Sequence, residues 1–163
     1  ERSSYIGFAL PGITVALALV FFASQFAPYL YQTLGLLIFT YVVLFLPAAL
    51  GPIRTSIVQM SPRIEEAARS LGKNPAQVLY SITLPALRPG LFAGAALVFL
   101  LAMKELPATL ILGPIGFKTL STSIWSAASE AFFAEAAIHA IILILVSSVP
   151  MAFLVFREQA ANQ

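Results

Sequence analysis

Ionisable side chains are scarce in this chain, so their positions carry most of its chemical information. Only 10% of the 163 residues are charged, Asp and Cys are absent, and there is one histidine, His139. Without Cys there is no disulfide, no thiolate nucleophile and no thiolate metal ligand. Two groups of charges stand out. Lys104 and Glu105 lie inside the apolar run "MKELPATLIL" (103–112), and Glu65, Glu66, Arg69 and Lys73 crowd the start of "EEAARSLGKNPAQVLYSITLPALRPG" (65–90). Glu105 is an oxygen donor of the kind hard cations favour, but one carboxylate is not a metal site. A lone His139 reads as a hydrogen-bonded packing residue rather than a ligand. No metal-ligating set is therefore assigned. An enzyme working at membrane depth needs a nucleophile with a base, or metal ligands. Glu105 has no carboxylate partner, and a serine with Lys104 or His139 as base is a formal alternative that no signature supports. No phosphate-cradling glycine loop is present, so ATP hydrolysis is not expected of this chain.

The elements that must position these charges are set by hydropathy. Hydrophobic residues make up 60% of the chain and mean hydropathy is +0.92, where a soluble domain carries about a quarter charged residues. An all-α, polytopic membrane bundle is expected. A net charge of +2 gives no reason to expect nucleic acid as a partner. No charge falls between Arg2 and Arg54, more than one span of about 20 residues requires. The break "SQFAPYLYQT" (24–33) divides that run into spans of about 5–23 and 34–53. Two more are expected at about 89–112 and 136–156, with a loop at 54–88 and an outer segment at 113–135 that holds a short helix capped by Thr119 or Ser121. Arg2, Arg54, Arg63, Arg69, Lys73, Arg88 and Arg157 fall on one side of these four spans, and Lys118 on the other. The positive-inside rule places the seven, both termini and the 54–88 loop in the cytoplasm. The chain opens without Met and reads as a piece of a longer protein.

Inside the loop, Ser61-Pro62 and Asn74-Pro75 each read as a helix start, a capping side chain followed by proline at the first helical position. Ile64, Ala67, Ala68 and Leu71 recur at i, i+3, i+4, i+7 and form one apolar face, while Glu65 and Arg69 are spaced to pair at i, i+4. Gly72 stops the first helix. The second runs to Pro85, and "LPALRPG" returns the chain to the membrane. Such a hairpin suits either an interfacial helix lying on lipid or, because its apolar face is narrow and built on two alanines, close packing against another protein. Gly90 and Gly94 form a GxxxG pair suited to close helix packing, within the bundle or against a second half.

Glu66-Ala67-Ala68, three residues, Gly72, nine residues, Ile82, one residue, Leu84-Pro85 resembles the EAA motif of permease subunits of binding-protein-dependent ABC importers, the maltose/methionine-type (type I) family, without a gap. It specifies seven positions over 20 residues. The layout of two spans, loop and two spans resembles that permease core across the whole chain. The resemblance implies that Glu66, Ala67, Ala68 and Gly72 form a coupling helix docked on a cytoplasmic ATPase subunit dimer, with Ile82, Leu84 and Pro85 anchoring it to the membrane helices. It implies ATP-Mg bound by the partner rather than by this chain, a second permease half or copy, an external substrate-binding protein, and the prokaryotic inner membrane. "MKELPATLIL" and "GFKTLSTSIW" (116–125) resemble ferric-iron permeases most, with thiamine, aminoalkylphosphonate and polyamine permeases as alternatives. One departure is Gly113-Pro114, where the family often has an arginine before the proline. Ions at membrane depth are costly and face the bundle interior or water. Lys104 and Glu105 therefore either line the translocation path or its outer gate, or pair with another helix or snorkel outward. A scaffold or channel subunit is a further class, and would not need a coupling hairpin.

Overall fold

The computed structural model describes residues 11–161. Arg2 and the first part of the span expected at about 5–23 lie outside the described residues. Seven helices follow in order: α1 Gly12–Phe26, α2 Leu34–Gln59, α3 Pro62–Ser70, α4 Pro75–Lys104, α5 Pro107–Leu112, α6 Leu120–Ser129 and α7 Phe133–Ala161. A 3-10 turn, Pro28–Leu30, joins α1 to α2. The described residues contain no strand, so the fold is all-α. Among the described residues, three helical stretches are long and apolar enough to cross a membrane: α2, α4 and Phe133–Ala152 of α7. The described part of α1 is apolar but 15 residues long.

Local chemistry sets the helix starts. Thr33 accepts a hydrogen bond from Leu36 N–H (3.3 Å) ahead of α2, and Thr119 with Thr122 closes a capping box ahead of α6. Asn74 Oδ1 accepts from Gln77 N–H at 2.8 Å while Gln77 Oε1 accepts from Asn74 N–H at 3.0 Å, which satisfies two donors that the first turn of a helix would otherwise leave open. Ser61, expected to cap α3, makes no side-chain cap bond.

The third span departs from the sequence reading. It was expected at about 89–112, after a separate loop helix. The helix instead begins at Pro75 and runs unbroken to Lys104 through Pro85 and Pro89. Leu79–Thr83 is wound as a π-turn, with Leu84 N–H reaching the Leu79 carbonyl. A proline ring inside an α-helix presses on the carbonyl four residues back, and a locally widened turn directly before Pro85 relieves that pressure. Likewise α2 does not stop near residue 53 but extends to Gln59. Much of the loop expected at 54–88 is thus the ends of two long helices, with α3 between them.

The bundle is held at two places. Where α2 crosses α4, Gly90 and Gly94 let the backbones touch. A Cβ at Gly90 would sit 2.6 Å from Pro52 O and 2.9 Å from Ile53 Cα, and one at Gly94 would sit 2.9 Å from Ala49 O. The GxxxG pair therefore serves packing within this chain. Around α5, Ala16 and Ala23 of α1, Leu36, Leu37, Leu44 and Phe45 of α2, and Ala108 and Leu112 form one buried cluster. Small residues at both places fit a solvent in which helices associate through close contact rather than water exclusion.

Gly90→Val should destabilise the protein by about 1–3 kcal/mol or more, because beside the Ser56 hydroxyl it meets backbone of Pro52 and Ile53 that cannot swing away. Gly51→Ala, with nothing within 4 Å of its Cβ, should be neutral or stabilising by up to about 1 kcal/mol. Thermal unfolding of the two variants in detergent checks the contrast.

Candidate functional site

Polar side chains with specific partners concentrate first at the hairpin formed by α3 with the start of α4, and at the break between α4 and α5.

In the first, α3 ends where Leu71 N–H bonds Ala67 O (3.1 Å), Gly72 N–H bonds Arg69 O (2.9 Å) and Lys73 N–H bonds Ala68 O (3.2 Å). Gly72 has φ +81°, the left-handed conformation that glycine adopts without penalty. Of the face expected from Ile64, Ala67, Ala68 and Leu71, only Ala68 is buried, at 5% exposure, alongside Val78 at 2%. Ile64 is 52% and Leu71 84% exposed, and Ala67 is exposed as well. Glu66 is exposed, Ile82 and Pro85 are half-buried, and Leu84 is exposed. Glu65 does not pair with Arg69. Its Oε1 instead accepts a 2.8 Å hydrogen bond from Thr83 Oγ1, eighteen residues away. Lys73 Nζ donates to Ser81 Oγ at 2.9 Å, and Ser81 Oγ to Gln77 O at 2.6 Å. The structure thus brings the EAA-type residues of α3 beside the π-turn that carries Ile82. Sequence reasoning missed Thr83, because nothing in its local pattern marks a partner so far along the chain.

In the second, the helix stops at Lys104. Glu105 is extended (φ −71°, ψ 119°) and α5 starts at Pro107. Glu105 Oε1 accepts from Ala108 N–H at 3.0 Å, so the carboxylate caps α5 with a charge that suits a helix N-terminus. Thr109 Oγ1 donates to the Glu105 carbonyl at 2.9 Å. With that proton committed, Tyr41 O–H is the donor in its short bond to Thr109 Oγ1, which ties α2 to α5. The carboxylate also lies against the start of α1: a Cβ at Gly12 would sit 3.0 Å from Glu105 Oε1. Glu105 is half-buried, whereas its neighbour Lys104 is exposed and points elsewhere.

A third polar region is a cleft of about 480 Å3 between α6, α7 and the loop before them, lined in part by Lys118, Glu130, Glu135 and His139. His139 Nδ1 donates to Glu135 O at 2.9 Å, so the histidine is satisfied by its own helix. Among the described residues no three His, Asp or Glu side chains converge in a way that could hold a metal ion.

A long-helix membrane bundle carrying a charged helical hairpin at one end defines the structural class. A family model described as "Binding-protein-dependent transport system inner membrane component" matches residues 1–159, and the chain belongs to that family. It is 44% identical, over 93% of its length, to the Fe(3+)-transport system permease protein FbpB 2 of Haemophilus influenzae, of which it covers 30%. It is 31% identical over 88% of its length to the putative 2-aminoethylphosphonate transport system permease protein PhnV of Salmonella typhimurium, covering 54% of that protein. Over 77% of its length it is also 31% identical to the corresponding PhnU protein, covering 45%. The chain thus spans between about a third and half of these relatives.

Glu105→Gln keeps an acceptor for Ala108 N–H and should leave stability near that of the parent protein. Glu105→Ala opens the cap and should cost about 0.5–2 kcal/mol. Thermal unfolding of the detergent-solubilised variants distinguishes them, and equal losses from both would show that charge rather than the cap bond matters.

Proposed function

We propose that this chain forms part of the membrane permease of an ABC importer, and that α3 is the helix through which a separate ATPase subunit drives it. The observation that carries the reading is the outward face of α3. Ile64, Ala67 and Leu71 stand uncovered beside Glu66 and the Gly72 turn, in a chain of the binding-protein-dependent transport family. Apolar side chains on a short charged helix, with small residues between them, are what a protein cleft receives. In this reading Ala67 and Ala68 permit close approach, Glu66 offers a charged contact and Gly72 makes the turn. Ile82, Leu84 and Pro85 join the hairpin to the membrane helix, which the continuity of α4 supports. The basic residues near α3 favour the cytoplasmic side for it by the positive-inside rule. A second permease half or copy, an ATPase dimer binding ATP-Mg, and an external binding protein complete the machine, with transport directed inward across the inner membrane.

The cargo we infer is ferric iron, supported by the 44% identity to a permease named for Fe(3+) transport. Similarity to putative 2-aminoethylphosphonate permeases favours the phosphonate as the second reading. Lys104 and Glu105 remain our candidates for the path. The capping bond of Glu105 gives that carboxylate a structural task already, so Lys104, exposed and unpaired among the described residues, is the stronger of the two.

In vesicles holding the full complex, ferric-loaded binding protein should stimulate ATP hydrolysis and iron uptake. Stimulation by a phosphonate-loaded protein alone would move the cargo to the second reading. Glu66→Lys and Gly72→Val should each lower uptake per ATP hydrolysed about tenfold or more, the effect of losing one or two charged or packed contacts. Normal uptake by both would refute the role of α3.

A further inference from the structure

We propose that the Glu65–Thr83 hydrogen bond splints the hairpin across the π-turn of α4, so that α3 and the membrane-spanning part of α4 move as one piece. The inference rests on the reading of α3 as the driven helix and goes beyond it, because neither residue belongs to the seven EAA-type positions.

The π-turn is the weak point of the lever. Leu79–Thr83 lies between the capped start of α4 and its apolar span, and π-turns break the regular hydrogen-bond ladder at a single place. Pro85 follows two residues later and has no N–H to restore it. A push on α3 would therefore be absorbed as bending at this turn unless something bridges it. Helix α3 touches α4 before the weak point and at its far end. Ala68 is buried, as is Val78 before the turn, and Lys73 N–H closes back on Ala68 O. At the far end of the turn, Thr83 reaches Glu65.

Thr83 departs from the usual habit of a helical hydroxyl. Hydroxyls in helices ordinarily bond the carbonyl four residues back, and here Thr40, Thr55, Ser70, Ser81 and Thr109 all do. For Thr83 that carbonyl belongs to Leu79, within the π-turn, and Thr83 does not follow the pattern. Its hydroxyl turns outward and donates to a carboxylate. Glu65, in turn, is spaced to pair with Arg69 yet faces Thr83. Hydrogen bonds to ionised groups are the stronger kind, and this one is half-buried at both ends. Glu65 and Thr83 are accordingly positioning residues, acting through the rigidity of the hairpin rather than by touching a partner.

The test uses the full complex in vesicles, measuring uptake and ATP hydrolysis together with retention of the ATPase subunit through purification. Thr83→Val removes the donor while keeping shape. It should lower uptake per ATP hydrolysed by about tenfold, the worth of a charge-assisted bond, with the ATPase subunit retained. Thr83→Ser and Glu65→Gln keep donor and acceptor and should restore most of the ratio. Adding Glu65→Leu to Thr83→Val should cost little more than Thr83→Val alone, since both break the same bond. An unchanged ratio for Thr83→Val, or a Ser variant no better than Val, overturns the proposal. So does loss of the ATPase subunit from the Thr83→Val complex, which would make the bond a folding contact only. If Glu66→Lys and Gly72→Val also leave the ratio unchanged, the reading of α3 fails with it. If those two uncouple and Thr83→Val does not, only the splint fails.

Discussion

At membrane depth a backbone amide has no water to turn to, so every interruption of a helix must be repaired by the protein itself. That constraint organises this chain. The interruption between α4 and α5 is repaired by a residue within it. Glu105 leaves helical geometry and its carboxylate then takes the Ala108 amide. Thr109 Oγ1 donates to the Glu105 carbonyl, and Tyr41 O–H donates to Thr109 from α2. An ionised group in an apolar run is expensive. Here it faces an exposed-donor helix end and the side-chain-free edge of Gly12 rather than lipid. The same residue that draws notice as a site of chemistry is thus part of the joinery.

Prolines elsewhere are handled by the same rule. Pro85 sits behind a widened turn, and Pro47 and Pro52 lie within α2 without ending it. The resulting long helices are locked by direct backbone contact at Gly90 and Gly94. A displacement applied near Pro75 can be carried past the crossing with α2 toward Glu105 only because α4 is one helix. The π-turn is the place where that continuity is most easily lost.

Much of this was legible in the residues. Asn74-Pro75 with Gln77, Thr119 with Thr122, and Gly72 are local devices, in which the side chain and the backbone group it serves are a few positions apart. Asn74 reads as a cap and Gly72 as a stop, and the geometry agrees; of the two caps offered for α6, Thr119 or Ser121, it is Thr119 that makes the bond. All-α membrane character followed from hydropathy alone. The boundaries of α4 did not follow. The residues place the start of a span at Pro89, whereas the helix already begins at Pro75 and runs through both Pro85, behind the π-turn, and Pro89. Ser61 looked like a cap of the same kind as Asn74 and makes no such bond. Glu65 was assigned to Arg69 by spacing, and its partner proved to be a threonine on another helix. Contacts that depend on how two elements meet leave no local mark, which is why Tyr41–Thr109, Gly12–Glu105 and Glu65–Thr83 were all out of reach.

The face of α3 that remains open bears on what covers it. Its own chain takes one edge of the helix, through Ala68 and Glu65, and leaves Ile64, Ala67 and Leu71 on the other. Burying two large apolar side chains in lipid gains about 1.5–3 kcal/mol each, modest for a membrane anchor. It would also set Arg63, next to Ile64 in sequence, and the tied edge at fixed depths in the headgroups. A protein cleft imposes no such plane. It uses the alanine between the two larger residues to bring backbones together, and it can meet Glu66 with a fixed charge. The partly covered, small-centred face therefore favours a protein partner over the bilayer surface as its occupant, in keeping with the proposed docking role of α3.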